Sequence, residues 1–270
     1  PDFFYNHKIP PDEKMVEYKL RNNIACDTTI IIGKEIFECH SVVLKVHTEY
    51  FVKLEETGFS MKSVELPSNQ VSMDSFCEIY NWMMNDDYEI PRPKFADIFK
   101  SAIFLKIKDF VNEFMAIIDD KELIDEREAI SIFLEAKKID CRLLQSHMIA
   151  KISRIFLTFV ASLDFLELSF EEVHEFFKSN GIAVNSEMDM LYVALRWLEF
   201  EWPKRKNCVK RLFKLIKFEV MPFWILPEIR NYPVRFAHIF CLVEDLIDDV
   251  MRDHSHRHAA EQGKMIIFLL

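Results

Sequence analysis

Glycine is scarce in this chain, with 4 residues among 270, whereas an average protein contains ~7% glycine. So few glycines leave little room for a glycine-rich phosphate-binding loop, a β-propeller or a turn-dense β-sandwich. Phenylalanine, by contrast, is abundant at 25 residues, and methionine contributes 12. Because bulky side chains fill the ridges and grooves between helices, this composition favours packed helices. With 50% apolar and 29% charged residues, the composition also excludes a disordered chain.

Signals for a membrane or for secretion are also missing. A membrane-spanning helix needs ~20 consecutive apolar residues, and no run in the sequence approaches that length. Charged residues occur throughout residues 1–20, which hold no apolar stretch of signal-peptide length. The six cysteines are scattered and form no CxxC pair, as is typical of reduced thiols in a core. We therefore predict a soluble, intracellular protein, located in the cytoplasm, the nucleus or both.

The charge of the chain restricts its partners. The formal net charge is −10, which argues against a nucleic-acid partner and against an anionic membrane surface. One segment is basic nevertheless, and it contains Lys204, Arg205, Lys206, Lys210, Arg211, Lys214 and Lys217. Helical spacing would place four of these lysines, at positions 206, 210, 214 and 217, along one stripe. We expect a solvated helix face there, and the alternative is a site for an acidic partner.

Patterns that carry catalysis or bind cofactors are absent. The sequence contains no GxGxxG, GxxxxGK[ST], HExxH or GxSxG motif. The one tempting cluster is formed by His254, His256 and His258, whose imidazoles could bind zinc or copper if the segment is extended or looped. We predict a solvated linker there rather than a metal site. We also predict no catalytic residue, no cofactor and no enzymatic activity.

The first 120 residues combine strands with helices. Residues 28–32 are β-branched and are bounded by Gly33, while residues 36–39 alternate apolar and polar side chains, so together they predict a β-hairpin. Two short helices follow, separated by a cap at Thr48 and ended by Gly58. We then expect a strand at 64–66, a helix capped by Ser72 and a continuous helix over 95–119. A further helix is predicted over residues 11–20.

The remainder of the chain shows no strand signal. Three polar residues are each followed, three residues later, by an acidic residue, which is the spacing of a helix-capping box. These pairs are Asp125 with Glu128, Ser169 with Glu172, and Ser186 with Asp189. The sequence thus predicts an α+β domain over residues 1–120 and an all-helical domain over 121–250. A histidine-containing linker with an apolar tail would occupy residues 251–270.

The order of motifs in residues 24–118 resembles a BTB/POZ domain, which has a small sheet and a helical cluster. Asp27-Thr-Thr-Ile-Ile-Ile opens a strand, Phe37-Glu-Cys-His40 ends the next strand, and Leu44 and Tyr50-Phe51 follow at the family's spacing. Val64-Glu-Leu and the apolar helix from Phe76 to Met84 continue the pattern. The resemblance marks Asp27 and His40 as signature residues of the fold.

Residues 121–230 resemble a BACK domain, which is all-helical. The most recognisable helix extends from Val184 to Phe200, and the segment from Phe165 to Val173 is similar to the start of the helix before it. A BTB/POZ domain followed by a BACK domain is the arrangement of Kelch-like proteins. Residues 257–270 resemble the lead-in to a first propeller strand, but the 270 residues contain no propeller.

The resemblance implies a non-enzymatic adaptor for protein interactions. BTB domains form homodimers, and we expect the helix over residues 11–20 to reach the partner subunit through Met15, Tyr18 and Leu20. BTB–BACK proteins often recruit cullin-3 to build a ubiquitin ligase, and the substrate or further partner stays unidentified. The residues expected at the cullin contact are Tyr50, Phe59, Met61 and Met83.

Two departures from the family patterns keep an alternative open. Cullin-3 adaptors commonly carry a hydrophobic residue, any residue and then Glu after the helix that ends here at Gly58, and this chain has Phe59-Ser-Met61, with Met in place of Glu. Transcription-factor BTB domains carry a basic residue just after the histidine, where this chain has Ser41. The alternative is a cullin-independent oligomerisation scaffold in transcription, chromatin, cytoskeletal or germline assembly.

Overall fold

A computed structural model describes residues 3–4, 25–85, 88–179, 181–222, 224–230 and 236–253. The chain divides into two compact units, Pro1–Met148 and Ile149–Leu270. The helix predicted over 11–20 and the tail predicted after residue 253 lie outside the described residues. Within the described ranges, every helix is too short or too polar to cross a lipid bilayer.

A three-stranded sheet and a separate two-stranded sheet form the β part of the first unit. Strand β1 (Phe3–Phe4) precedes β2 (Thr28–Ile32), β3 (Glu35–Cys39), β4 (Ser63–Leu66) and β5 (Ile90–Pro91). The central strand β2 pairs antiparallel with β3 and parallel with β4, and the short strands β1 and β5 pair with each other. Gly33 allows the tight turn between β2 and β3 because its φ is 64°. The predicted hairpin is confirmed.

Two short helices follow the hairpin, as the sequence predicts. Helix α1 (Ser41–His47) and helix α2 (Glu49–Glu56) meet at Thr48. The Thr48 hydroxyl oxygen accepts a hydrogen bond from the Phe51 amide at 3.2 Å, which satisfies one of the free donors of the first turn. Gly58, with φ of 81°, ends this pair, and β4 lies at the predicted position.

Three longer helices complete the BTB-like part of the first unit: α3 (Met73–Met84), α4 (Phe95–Leu105) and α5 (Lys108–Asp119). The prediction of one continuous helix over 95–119 is wrong. Lys106 adopts a left-handed conformation with φ of 57°, and the Ile107 amide donates to the Ala102 carbonyl at 3.0 Å. The chain turns there because this cap satisfies the end of α4 while Ile107 becomes completely buried.

Aromatic rings fill the space between these helices. Trp82 stacks on Phe110 with ring centroids 4.5 Å apart, and Phe114 contacts both Phe95 at 4.7 Å and Phe99 at 5.4 Å. All five side chains are at most 2% exposed. Rings at such separations add to the free energy gained by burial, so the abundant phenylalanine builds the helical core that composition predicts.

Helix α6 (Glu126–Lys138) belongs to the first compact unit. The Arg92 guanidinium forms ion pairs with Glu128 and, at 3.0 Å, with Glu135 of this helix. The Lys100 ammonium donates to the Ile139 carbonyl at 2.8 Å. The first compact unit therefore continues beyond residue 120. The domain boundary between residues 120 and 121 stays a prediction from the sequence.

The second unit is helical throughout its described part, as predicted. Helix α7 (Arg142–Ile152) contains the division between the units. The helices that follow are α8 (Phe156–Val160), α9 (Leu163–Leu166), α10 (Phe170–Lys178), α11 (Glu187–Phe200), α12 (Trp202–Arg205), α13 (Val209–Phe213), α14 (Ile225–Arg230), α15 (Ala237–Phe240) and a last helix over 244–253.

Capping interactions start several of these helices where the sequence predicts them. Ser169 and Glu172 form a reciprocal capping box at the start of α10. At the start of α11 the Asp189 carboxylate accepts from the Ser186 amide at 3.2 Å. In the first unit, Asp125 accepts from the Glu128 amide at 2.7 Å. These contacts confirm all three predicted capping pairs.

Candidate interaction site

The predicted signature residue Asp27 holds the end of the hairpin against helix α1. Its carboxylate oxygens accept from the Ser41 amide and from the Ser41 hydroxyl, each at 2.7 Å. The Ser41 amide is one of the first-turn donors of α1, which has no side-chain cap of its own. Ser41 thus supplies the partner of Asp27 at the position where transcription-factor BTB domains carry a basic residue.

His40 and Tyr80 connect the same corner to helix α3. The Tyr80 hydroxyl oxygen lies 2.6 Å from His40 Nδ1 and accepts from the His40 amide at 3.3 Å. Burial raises the pKa of Tyr80 to about 12, so its hydroxyl stays protonated near neutral pH. The adjacent thiol of Cys39 is buried, and burial raises its pKa to about 12 as well. A neutral thiol at this place is a core group and a poor nucleophile.

The residues predicted for cullin contact differ in their exposure. Phe59 is 49% exposed and lies between α2 and β4, while Met61 in the same connection is half-buried. Tyr50 on α2 is half-buried and packs on Phe104 with ring centroids 5.2 Å apart. Met83 has no exposed surface at all. Helical periodicity placed Met83 correctly on the apolar face of α3, but that face is the core.

Two further apolar side chains of this region are exposed and were not predicted as site residues. Val46 at the end of α1 is 39% exposed and Val52 on α2 is 37% exposed. Both lie on short helices that bury other apolar residues, namely Val43 and Leu44 in α1 and Phe51 in α2. Each helix has more apolar residues than its buried face holds, and that surplus was the signal in the sequence. We define Val46, Tyr50, Val52, Phe59 and Met61 as the apolar surface of the first unit.

A shallow depression with a volume of about 300 Å³ borders this surface. Val46, Thr48 and Val52 line one side, and Lys106 and Lys108 before and within α5 line another. The Lys108 ammonium forms an ion pair with Glu49 on the same rim and, by donating a hydrogen bond, lowers the pKa of that carboxyl. The depression therefore joins apolar side chains to a charged rim, a composition that fits a protein interface.

Other predicted groups do not contribute to a site that the structure describes. The dimerisation residues Met15, Tyr18 and Leu20 lie outside the described residues, and so do His254, His256 and His258. Within the described ranges, no group of three His, Cys, Asp or Glu side chains is placed to hold a metal ion. All six cysteines are free thiols.

Comparison with known proteins agrees with this architecture. Residues 3–122 match the family model "BTB/POZ domain", and residues 129–231 match the model "BACK: BTB And C-terminal Kelch". The chain therefore consists of a BTB/POZ domain followed by a BACK domain, and it belongs to the BTB–BACK class of protein-interaction modules that includes the Kelch-like proteins.

The curated relatives are Kelch-like proteins. Kelch-like protein 1 of Mus musculus is 18% identical over 253 residues, which cover 92% of this chain and 33% of that protein. Kelch-like protein 31 of Homo sapiens is 23% identical over 205 residues, and Kelch-like protein 40 of Xenopus tropicalis is 25% identical over 193 residues. The chain spans 30% and 31% of these two relatives, so it corresponds to about a third of their length.

The comparison with solved structures gives a partial match. The BTB domain of zebrafish PATZ1 shares 20% identity over 43% of this chain and 98% of that chain, with a TM-score of 0.34. The assignment of the fold class rests on the two family models and on the described elements.

Proposed function

We propose that this chain is a non-catalytic adaptor whose BTB domain forms a homodimer and captures cullin-3 as part of a ubiquitin ligase. The observation that carries the proposal is the exposure of Phe59, at 49%, directly after α2. This is the position at which the family resemblance expects the hydrophobic anchor. An intracellular location follows from the proposal, since the partner is intracellular.

The apolar surface supplies a physical reason for binding at Phe59. Phe59 follows Val52 and precedes Met61 in the chain, and its ring is half-exposed to water. Exposure of the ring to water is unfavourable, so covering it with a pocket of the partner makes the free energy of binding more favourable. Aromatic anchors of this kind dominate the energetics of many interfaces. Tyr50 on α2 is already packed on Phe104, so its side chain needs little further ordering if a partner contacts it.

Met61 favours a second candidate function. Glu is common at this position in cullin-3 adaptors, and Met61 cannot form the charged hydrogen bond that Glu would provide. A half-buried methionine still contributes apolar contact. The alternative is therefore a BTB dimer that serves as an oligomerisation scaffold and does not bind cullin-3.

Calorimetry with the cullin-3 N-terminal region separates the two functions. We expect micromolar or tighter binding to the full chain, and a loss of at least about tenfold in affinity for Phe59→Ala, which corresponds to ~1.4 kcal/mol. Ile36→Ala is the matched control, because Ile36 is an apolar side chain of the same unit with 67% exposure. An equal loss in both variants would contradict the assignment of Phe59, and absence of binding by a dimeric chain would establish the scaffold.

A further inference from the structure

The segment from Lys204 to Lys217 is the most strongly charged part of the second unit. It contains seven lysines and arginines and no acidic residue, although the whole chain carries a net charge of −10. It begins within α12 and includes α13. The BTB-based adaptor function makes no use of this segment.

The packing of the segment fixes which side chains reach solvent. Val209, Leu212, Phe213 and Ile216 are at most 4% exposed and form one buried face. Helix α13 and the turns on either side of it bury these four positions and leave positions between them exposed. The side chains that are exposed in consequence belong to Lys206, Lys210, Lys214 and Lys217, which we call the lysine stripe.

Arg205 is buried and anchors the start of the segment. Its guanidinium donates to the Trp197 carbonyl and to the Leu166 carbonyl, each at 2.6 Å, and it lies 4.1 Å from the centre of the Trp197 ring. These bonds hold the preceding turn against α9 and α11 within the second unit. The lysine stripe is thus presented by a fixed backbone, although its side chains are long and exposed.

Charges outside the stripe are already engaged, whereas those of the stripe are not. Lys204 pairs with Glu201 at 2.6 Å, and the Arg211 guanidinium lies 4.2 Å from the centre of the Phe170 ring. In the part of the chain that the structure describes, no lysine of the stripe forms an ion pair. Glu187 accepts from the main-chain amide of Lys217 at 3.1 Å, a contact made by the main chain and not by the ammonium group of that lysine.

We infer that the lysine stripe is a docking site for an acidic protein segment. Four exposed like charges on one short segment repel one another, and a partner with carboxylates relieves that repulsion while steering its own approach. The four lysines lie on the 3-10 turn Lys206–Cys208, on helix α13 and on the turn that follows it, within residues 206–217.

Features of the stripe favour a protein partner over nucleic acid. Five of the six exposed cations of the segment are lysines, which act as point charges. Arginine is the residue that binds phosphate in a bidentate manner, and here Arg205 is buried on main-chain carbonyls while the exposed Arg211 lies over Phe170. The net charge of −10 repels a long polyanion. A short acidic segment avoids that repulsion because screening limits its interaction to ~8–10 Å at physiological salt.

The test measures fluorescence anisotropy of a labelled helical peptide that carries glutamate at every fourth position. We expect binding at low salt that weakens as salt rises, and no binding of the same peptide with glutamine in place of glutamate. The triple variant Lys206→Glu/Lys210→Glu/Lys214→Glu should bind at least about tenfold more weakly, equal to ~1.4 kcal/mol. The triple variant to Gln removes the three positive charges without introducing negative ones, so it disturbs folding less than the triple variant to Glu. Circular dichroism verifies the helix content of both variants.

The control variant changes three exposed lysines of the first unit, Lys34→Glu/Lys62→Glu/Lys121→Glu, and should keep its affinity within about twofold. Absence of binding to the glutamate peptide, or an equal loss in the control variant, would overturn the inference. Binding of duplex DNA at least as tightly as the peptide would overturn it as well. Because cullin-3 capture is tested at Phe59, failure of either proposal leaves the other untouched.

Discussion

At the scale of single residues, Asp27 connects the hairpin to the first helix. Its carboxylate accepts from both the amide and the hydroxyl of Ser41 at 2.7 Å. We predict that Asp27→Ala lowers the free energy of unfolding by about 1–3 kcal/mol, because a donor of the first helical turn loses its partner. Urea unfolding measures this change. Glu38→Ala, at an exposed position of β3, should stay within about 0.5 kcal/mol, and an equal effect of both changes would contradict the role of Asp27.

The buried thiol of Cys39 makes the stability depend on alkaline pH. Its pKa is raised by burial from 9.0 to about 12, so the folded state holds a proton that the unfolded state releases. The stabilisation is fully present below pH 9 and is lost as the pH rises toward 12. We predict that the free energy of unfolding falls by up to about 1.4 kcal/mol per pH unit in this range from Cys39 alone.

Urea unfolding at pH 8, 9.5 and 10.5 tests that prediction. Cys39→Ala should show a shallower decline with pH than the unaltered chain, whereas Cys241→Ala, at an exposed position of the second unit, should leave the decline unchanged. Iodoacetamide at pH 8 provides a second measurement, in which Cys26 reacts in the folded protein and Cys39 reacts after unfolding. Rapid alkylation of Cys39 in the folded chain would contradict the account.

At the scale of elements, the ion pairs of Arg92 attach α6 to the first unit. The Arg92 side chain is 13% exposed and the Glu135 side chain is 35% exposed, so the pair is shielded more than a surface pair. We predict that Arg92→Met raises amide hydrogen exchange in Glu126–Lys138 about tenfold, or ~1.4 kcal/mol. Arg142→Met, which breaks an exposed contact with Asp140 at 3.5 Å, should leave that exchange unchanged. Equal exchange in both variants would refute the attachment.

Elements with local signals could be predicted from the sequence. The hairpin around Gly33, the cap at Thr48 and the capping box of Ser169 each depend on residues within a few positions of one another. The break at Lys106 could not be predicted, because lysine rarely adopts a positive φ and no Gly or Pro marks the turn. It forms because the core takes up Ile107.

The candidate site was predictable only in part, for a related reason. Phe59 follows Gly58 in a connection, where an apolar side chain has little of its own core to enter, and it is exposed. Met83 lies on the apolar face of a helix, and the helical spacing does not tell whether that face contacts a partner or the core. Tertiary packing places Met83 in the core. The attachment of α6 depends on Arg92, which precedes Glu128 by 36 residues, and no local pattern reveals such a pair.

At the scale of the whole molecule, the chain combines two kinds of interaction module. The BTB domain carries the apolar surface around Phe59, and the BACK domain carries the lysine stripe. The formal net charge also differs between the two parts of the chain, with −8 over residues 1–120 and −2 over residues 121–270. We propose that the first domain binds cullin-3 and that the second binds an acidic segment.

The measurement that tests the central claim most directly is the mass of the assembly by light scattering during size-exclusion chromatography. The chain has a mass of 32.2 kDa, and the account predicts a species of twice that mass. Addition of the cullin-3 N-terminal region should shift it to a complex of two chains with two cullin fragments. A monomer of 32.2 kDa that elutes unchanged beside free cullin-3 would contradict the account.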